Sequence, residues 1–260
     1  MLGSFLYLAQ DLYVQPATQN ARDIKGLFNI TLAIALVVFV LVEGLLLYMV
    51  IRFRNNRKVP REEGHRGHTT AEVVWTVIPA AILLFLGFLS AGTLIHLDTV
   101  PDDTDFTIHI EARQFIWRFI YPDDNGVEYN GEADWCRAPN QARCSFNDLR
   151  LQEGSTVKFT ATGLDVIHAF AVPEFGIKAD AVPGKTHTAW FQVPSLNGAS
   201  EATYFVQCME YCGVGHHLMG PSKEASDAGS VPHITVFPAG AQPLAWGKPA
   251  AEAPPAAPTP

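Results

Sequence analysis

The distribution of apolar and polar positions divides the chain into two unlike parts. From Leu27 to Ile51 and again from Val73 to Leu97 the residues are almost continuously apolar, with no recurring polar position to mark a water-facing side. Each run exceeds the roughly 20 residues that an α-helix needs to cross a bilayer, so each predicts a transmembrane helix. Pro79 falls early in the second run, where it would kink or interrupt the helix. Past residue 98 the pattern changes to short alternating stretches rich in aromatic and β-branched residues. These are Phe106 to Tyr121, Thr156 to Thr162, Val166 to Val172, Thr186 to Val193, Ala202 to Gln207 and His233 to Phe237. Gly, Pro, Asn and Asp punctuate them, which predicts an all-β sandwich or Greek-key barrel. At about 130 residues such a domain buries enough apolar surface to fold without cross-links.

The segments between these elements orient them. The connector 52–71 carries Arg52, Arg54, Arg57, Lys58, Arg61 and Arg66 against Glu62 and Glu63, so the positive-inside rule places it in the cytoplasm. The expected organisation is an N-terminal extracytoplasmic segment 1–26, a two-helix hairpin 27–97, an exported β domain 98–240 and an Ala/Pro-rich disordered tail 241–260. Leu2 to Ala9 has the character of a signal-peptide remnant, and processing is left open. Glu43, within the first apolar run, is costly against lipid; it is expected to face a partner or water, or to be protonated. Glu72 opens the second helix, where an acid is favoured by the helix dipole.

Charge narrows the partners. A formal net charge of -8 argues against nucleic acid and for a cationic partner. Asp102, Asp103, Asp105, Asp123, Asp124 and Glu128 are candidates for steering such a partner, or are ordinary solvated loop acids. Four cysteines are present and no CxxCH, so no covalent haem attachment is encoded. Cys136 and Cys144, in a polar insertion of the exported part, are expected to form a disulfide worth about 2 kcal/mol. A second metal site is the alternative, but no histidine lies near them.

The densest chemistry is at residues 206 to 219, where Cys208, Cys212, His216, His217 and Met219 fall within twelve positions. These soft and borderline donors select copper or zinc over magnesium or calcium. A structural zinc site would need four Cys or His ligands, and methionine serves zinc poorly. A single blue-type copper would use one Cys, two His and a weak methionine. Here a second thiol follows the first by four residues, so the two sulfurs could bridge a pair of coppers. Buried cysteines without metal, or a Cys208–Cys212 disulfide, remain the alternatives. In cupredoxin-like sites one further imidazole comes from elsewhere in the sheet, and His168 in Asp165-Val-Ile-His168 supplies it; alone it would be read as a core histidine.

A two-helix hairpin, an outward β domain, Asp-Val-Ile-His and Cys-x-Glu-x-Cys-Gly-x-x-His-x-x-Met together resemble subunit II of the haem-copper cytochrome c oxidases, over residues 24 to 238. The resemblance implies a cupredoxin-like Greek-key domain with a binuclear CuA centre. Its ligands would be Cys208 and Cys212 as bridging thiolates, His168 and His216 on one copper each, Met219 weakly axial, and the carbonyl of Glu210. It also implies that the Glu210 side chain shares a magnesium ion with subunit I, and that Glu72 stands at the cytoplasmic mouth of a proton path. The chain would carry no oxygen-reducing site. It would pass electrons from cytochrome c, or another small redox protein, to the haems of subunit I for oxygen reduction coupled to proton pumping. The setting would be a bacterial-type inner membrane, with both termini and the copper domain periplasmic and further membrane subunits as neighbours.

One position departs from the family. An aromatic run such as Gln-Trp-Tyr-Trp, whose first Trp takes up electrons, is replaced by Gln114-Phe115-Ile116-Trp117, leaving Phe115 and Trp117 as candidates for electron uptake. Two other readings stand beside the oxidase: the CuA subunit of a nitric oxide reductase, and a membrane-anchored copper carrier. A quinol oxidase subunit is disfavoured, because that branch lacks the copper ligands.

Overall fold

The computed structural model describes residues 14–54, 67–122, 129, 131, 136 and 143–239. Outside these lie residues 1–13, the acids Asp123, Asp124 and Glu128, the tail 241–260, and most of the basic connector: Arg57, Lys58, Arg61 and Arg66 with Glu62 and Glu63. The chain divides into two compact units, one of residues 23–96 and the other of residues 1–22 together with 97–260.

The first unit consists of two long helices, α1 (Gln19–Phe53) and α2 (Thr69–Asp98), both long and apolar enough to cross a membrane. Their apolar side chains are exposed, as suits segments whose solvent is lipid or protein. Glu43 lies exposed in the middle of α1. Helix α2 runs through Pro79 without ending. Its first turn is closed by Glu72, whose carboxylate accepts the His68 N–H at 3.0 Å while His68 Nδ1 accepts the Ala71 N–H at 3.2 Å.

Helix α1 begins eight residues before the apolar run because Thr18 caps it. The Thr18 hydroxyl accepts the Ala21 N–H at 3.1 Å and donates to the Phe175 carbonyl at 2.8 Å. The Ala17 N–H donates to the Glu174 carbonyl at 2.7 Å. Thr18, Asn20 and Ala21 are buried. Gly176, at φ +69, lies so close that a Cβ there would come within 2.7 Å of the Ala21 Cα. The segment before the first helix is therefore an integral piece of the β unit.

Eleven strands build that unit among the described residues. One sheet runs β3 (Cys144–Phe146), β2 (Ile116–Ile120), β1 (Phe106–Arg113), β5 (Thr156–Gly163) and β8 (His187–Gln192). A second runs β10 (Gln207–Cys208), β6 (His168–Val172) and β7 (Ile177–Ala181); a third runs β4 (Asp148–Gln152), β11 (His233–Phe237) and β9 (Ala202–Phe205). Pairing is antiparallel except for β1 with β5 and β4 with β11. The alternation does what it predicts: Ile108, Ile110 and Ala112 point into the core from β1, where Phe119, Phe159, Phe170, Phe175 and Phe191 meet. Phe170 stands edge-on to both Phe119 and Phe159, with centroids 6.1 and 5.6 Å away.

Three details differ from the periodicity. The run Phe106 to Tyr121 is a hairpin rather than one strand, folded at Gln114 and Phe115 with Arg113 opposite Ile116. Strand β6 starts at His168, two residues later than the apolar pattern, because the Asp165 carboxylate binds the N–H groups of Val166 and Gln114 and competes with the ladder. Strands β3, β4 and β7 were not foreseen. β4 alternates visibly, burying Leu149 and Leu151, whereas β3 is three residues long and β7 buries only Ala179 and Ala181. Cys136 and Cys144 form the expected disulfide, with Cα atoms 5.6 Å apart, beside Ile120 and Tyr129.

Candidate metal centre

The sheet of β10, β6 and β7 sets the first half of the site. Strand β6 begins with His168, fully buried, and β10 ends with Cys208 paired to Phe170. The Met209 N–H then donates to the Ala169 carbonyl at 3.0 Å, extending the pairing past the strand. This register brings Cys208 Sγ to 4.0 Å from His168 Nδ1. The other imidazole nitrogen, Nε2, donates to Asp165 at 2.9 Å. A carboxylate can only accept, so the neutral ring keeps its Nδ1 lone pair for the pocket.

The second half is a loop. Cys212 is buried with its sulfur 3.5 Å from His216 Nδ1 and 3.7 Å from Met219 Sδ. His216 and Met219 lie at the two ends of a single 3₁₀ turn (His216–Met219), which directs both side chains at Cys212. Ligand atoms of His168, Cys208 and Cys212 all fall within 4.8 Å of one another. Both thiols are free, so the alternative of a Cys208–Cys212 disulfide is not what the structure holds. The Cys208 thiol donates to the Glu210 carbonyl at 3.2 Å, which places that oxygen at the pocket too.

Charge distribution distinguishes the two thiols. Burial pushes the Cys208 thiol up, but bonds from His168 and from backbone groups outweigh it and hold its pKa below the ordinary value. Burial also opposes a charged His168, yet Cys208 and Asp165 raise its pKa on balance. For Cys212 the balance is reversed: burial first, and the neighbouring Cys208 second, outweigh a backbone hydrogen bond and push it up to about 12. Asp165 is held below its usual range, burial being outweighed by the Gln114 N–H and by His168.

The remaining sequence candidates lie apart from one another. Phe115 lies against the loop that follows Cys212: a Cβ on Gly213 would sit 3.2 Å from its ring, and one on Gly215 would collide with it. Trp117 is fully buried, edge-on to His168 with centroids 6.2 Å apart, and its indole N–H donates to the Met219 carbonyl at 3.3 Å. The Glu210 side chain points to Lys178 Nζ at 3.0 Å, and Lys178 in turn meets Asp180 at 2.7 Å. Glu72 belongs to the helical unit, and His217 is exposed. Of the acids read as steering groups, Asp105 accepts the Thr156 N–H at 2.7 Å and so closes a turn.

Sequence reasoning gave no role to Asp165 or Gln114. Gln114 Nε2 donates to the Cys212 carbonyl at 2.6 Å, and its backbone N–H donates to Asp165 at 2.8 Å. An acid three residues before the distant histidine was a usable signal for the first; nothing local marked the second.

Comparison with known proteins gives a consistent family. A model described as cytochrome C oxidase subunit II, periplasmic domain, matches residues 106–225, and one described as the transmembrane domain of the same subunit matches residues 8–92. A protein of Rickettsia bellii named probable cytochrome c oxidase subunit 2 is 34% identical over 229 residues, covering 84% of this chain and 82% of that one. Its counterpart in Rickettsia felis is 36% identical over 215 residues, covering 81% of this chain and 66% of the relative. Cytochrome c oxidase subunit 2 of Cereibacter sphaeroides is 31% identical over 226 residues, covering 78% and 72%.

Proposed function

This chain belongs to the cytochrome c oxidase subunit II family, and from that premise we propose that it accepts electrons one at a time at a binuclear copper centre and passes them to a haem-bearing partner subunit. The family's complex is a haem-copper oxidase, an oxidoreductase. One observation carries the copper reading: two free, buried thiols lie in one pocket, each with an imidazole Nδ1 beside it, at 4.0 Å for Cys208 and 3.5 Å for Cys212. The donor set suits copper, because thiolate, imidazole and thioether are soft or borderline ligands. Zinc could use the same two cysteines and two histidines, but it has no use for a thioether, so Met219, with its sulfur 3.7 Å from Cys212, favours copper.

Bound there, a copper pair would supply one-electron storage with the charge spread over both metals. The chain's own residues do the rest. Cys208 and Cys212 would hold the copper through their thiolates, His168 and His216 through one imidazole each, Met219 through its thioether and Glu210 through its carbonyl. Asp165 fixes which nitrogen His168 presents, and Trp117 with Met219 keeps water from the buried side. For a magnesium ion shared with the partner, the support is the paired acids Glu210 and Asp180, both now held by Lys178. For Glu72 as the mouth of a proton path the support is the family resemblance, since its contact at the start of α2 is a helix cap.

The membrane arrangement rests on connectivity. Residues 14–22 pack within the same unit as residues 97–239, so the chain between them crosses a membrane an even number of times. The two long helices meet that requirement, and Arg52, in the last turn of α1, and Arg54, just after it, stand at the end that would be cytoplasmic. The copper domain then lies on the periplasmic side of a bacterial-type inner membrane, open to a cytochrome c-type or other small redox donor. Phe115, packed over Gly213 and Gly215, is the candidate point of electron uptake. Phe115→Trp is expected to change the rate of donor oxidation in the assembled enzyme, whereas an unchanged rate removes this position from the path.

The deciding experiment is copper analysis and electron paramagnetic resonance of the full chain in detergent. Two coppers per chain with a seven-line hyperfine pattern are expected for one electron shared by a bridged pair. One copper with four lines, or zinc, would hand the site to the copper-carrier reading.

A further inference from the structure

The two halves of the site come from separate parts of the fold, a strand and a loop, and one side chain touches both. Gln114, in the turn between β1 and β2, donates through Nε2 to the Cys212 carbonyl at 2.6 Å. Through its backbone N–H it donates to Asp165 at 2.8 Å. Asp165 accepts in turn from His168 Nε2 at 2.9 Å and from the Val166 N–H at 2.7 Å. The result is an unbroken chain of hydrogen bonds from the backbone of one thiol ligand to the ring of the distant histidine. We propose that Gln114 is a positioning residue that fixes the Cys212 loop relative to His168, holding both halves of the copper site in register before and after metal binds.

Packing supports this role. Gly213 follows Cys212 at φ +129, and a Cβ there would lie 2.7 Å from Gln114 Nε2 and 3.2 Å from the Phe115 ring. The amide is thus pressed against the loop backbone, and only glycine leaves it room. The bond is also short and spans 98 positions of sequence, and Cys212 itself lies outside any helix or strand. A carbonyl oxygen on the peptide adjoining a bridging thiolate is a place where an amide donor acts on orientation and on local electrostatics together. Outer partners of metal ligands change affinity by about 10–100-fold when removed.

The inference rests on the copper reading, and the wild-type chain tests that reading separately. Full-length chain in detergent is loaded with copper as the wild type, as Gln114→Glu, which is isosteric but presents no amide donor to the Cys212 carbonyl, and as Gln114→Leu. If the wild type fails to show two coppers and seven lines, the copper reading falls. Given a wild type that shows them, the variants are expected to lose copper to a chelator about tenfold faster, with altered hyperfine splitting and a shifted reduction potential. In the metal-free protein, faster amide hydrogen exchange across Gly213 to His216 is expected. A further variant, Asp165→Asn, cuts the same chain at its other end. Its effect and that of Gln114→Leu are expected to combine to less than their product, as for residues in one network. Copper retention, splitting, potential and exchange all matching the wild type in the isosteric variant would overturn the proposal, as would fully multiplicative effects in the double variant. Should Gln114→Leu not fold, Gln114→Glu decides by the same readouts.

Discussion

Cys208 and Cys212 stand four residues apart in one pocket, yet the fold makes them by different means. Cys208 is placed by backbone register: it pairs with Phe170 on β6, and β6 also carries His168. Cys212 has no ladder. Its position depends on side chains that reach it from elsewhere, Gln114 on its carbonyl, Phe115 on Gly213 and Gly215, and Trp117 on the Met219 carbonyl. The thiols differ in the same sense, one held below its ordinary pKa by His168 and the other pushed up to about 12 by burial. A sheet can deliver one ligand pair for little, but the second pair needs a loop, and a loop needs to be gripped.

Removing either sulfur is the harshest test. Cys208→Ser and Cys212→Ser should each abolish the paired copper signal and donor oxidation in the assembled enzyme, since a bridge needs both thiolates. Wild-type oxidation by either variant would break the assignment. The difference between the halves should then show in Gly215→Ala, whose methyl would drive into the Phe115 ring. Overpacking of this kind costs about 1–3 kcal/mol, to be read from denaturant unfolding of the metal-free chain. The companion change Phe115→Ala should restore copper loading if the clash is the cause.

The unequal thiols also set a pH dependence. At neutral pH, in the metal-free chain, Cys212 keeps its proton while Cys208 is the more readily ionised, so copper must displace the Cys212 proton. Below the raised pKa of His168 it must displace a second proton, from the imidazole. Apparent copper affinity should therefore rise with pH, by at least about tenfold per unit while Cys212 holds its proton, and more steeply where His168 is protonated as well. Competition against a chelator checks the slope, and a flat profile would remove the asymmetry. The mildest change is Met219→Leu, a volume-conserving swap costing under about 1.5 kcal/mol. It should leave both coppers bound and move the reduction potential, as expected of a weak axial ligand. An unmoved potential would take Met219 off the ligand set.

Much of this was legible in the residues. The two helices follow from uninterrupted apolar runs, and the pocket from five soft donors in a short stretch, because both signals are local. His168 was legible only through the later loop; alone it reads as a core histidine. What escaped was whatever depends on distant register. Gln114 looks like an ordinary turn residue until the fold brings Cys212 to it, and β7 hides behind Ala179 and Ala181, whose burial leaves little trace in a hydrophobic pattern. The late start of β6 followed from Asp165 outcompeting the ladder, an effect of side-chain chemistry that alternation cannot express.

The buried Thr18 has a consequence for how the chain is made. Its hydroxyl joins a carbonyl 157 positions later, on the far side of both long helices. In the proposed topology the leading segment waits, unattached, until the turn around Gly176 reaches the same side of the membrane. Contacts of such sequence separation form late. In that topology, a chain in which one helix failed to insert would leave the two partners on opposite faces of the membrane, with Gly176 and Ala21 unable to meet. The Thr18–Phe175 bond thus marks a polypeptide whose threading is complete and correct.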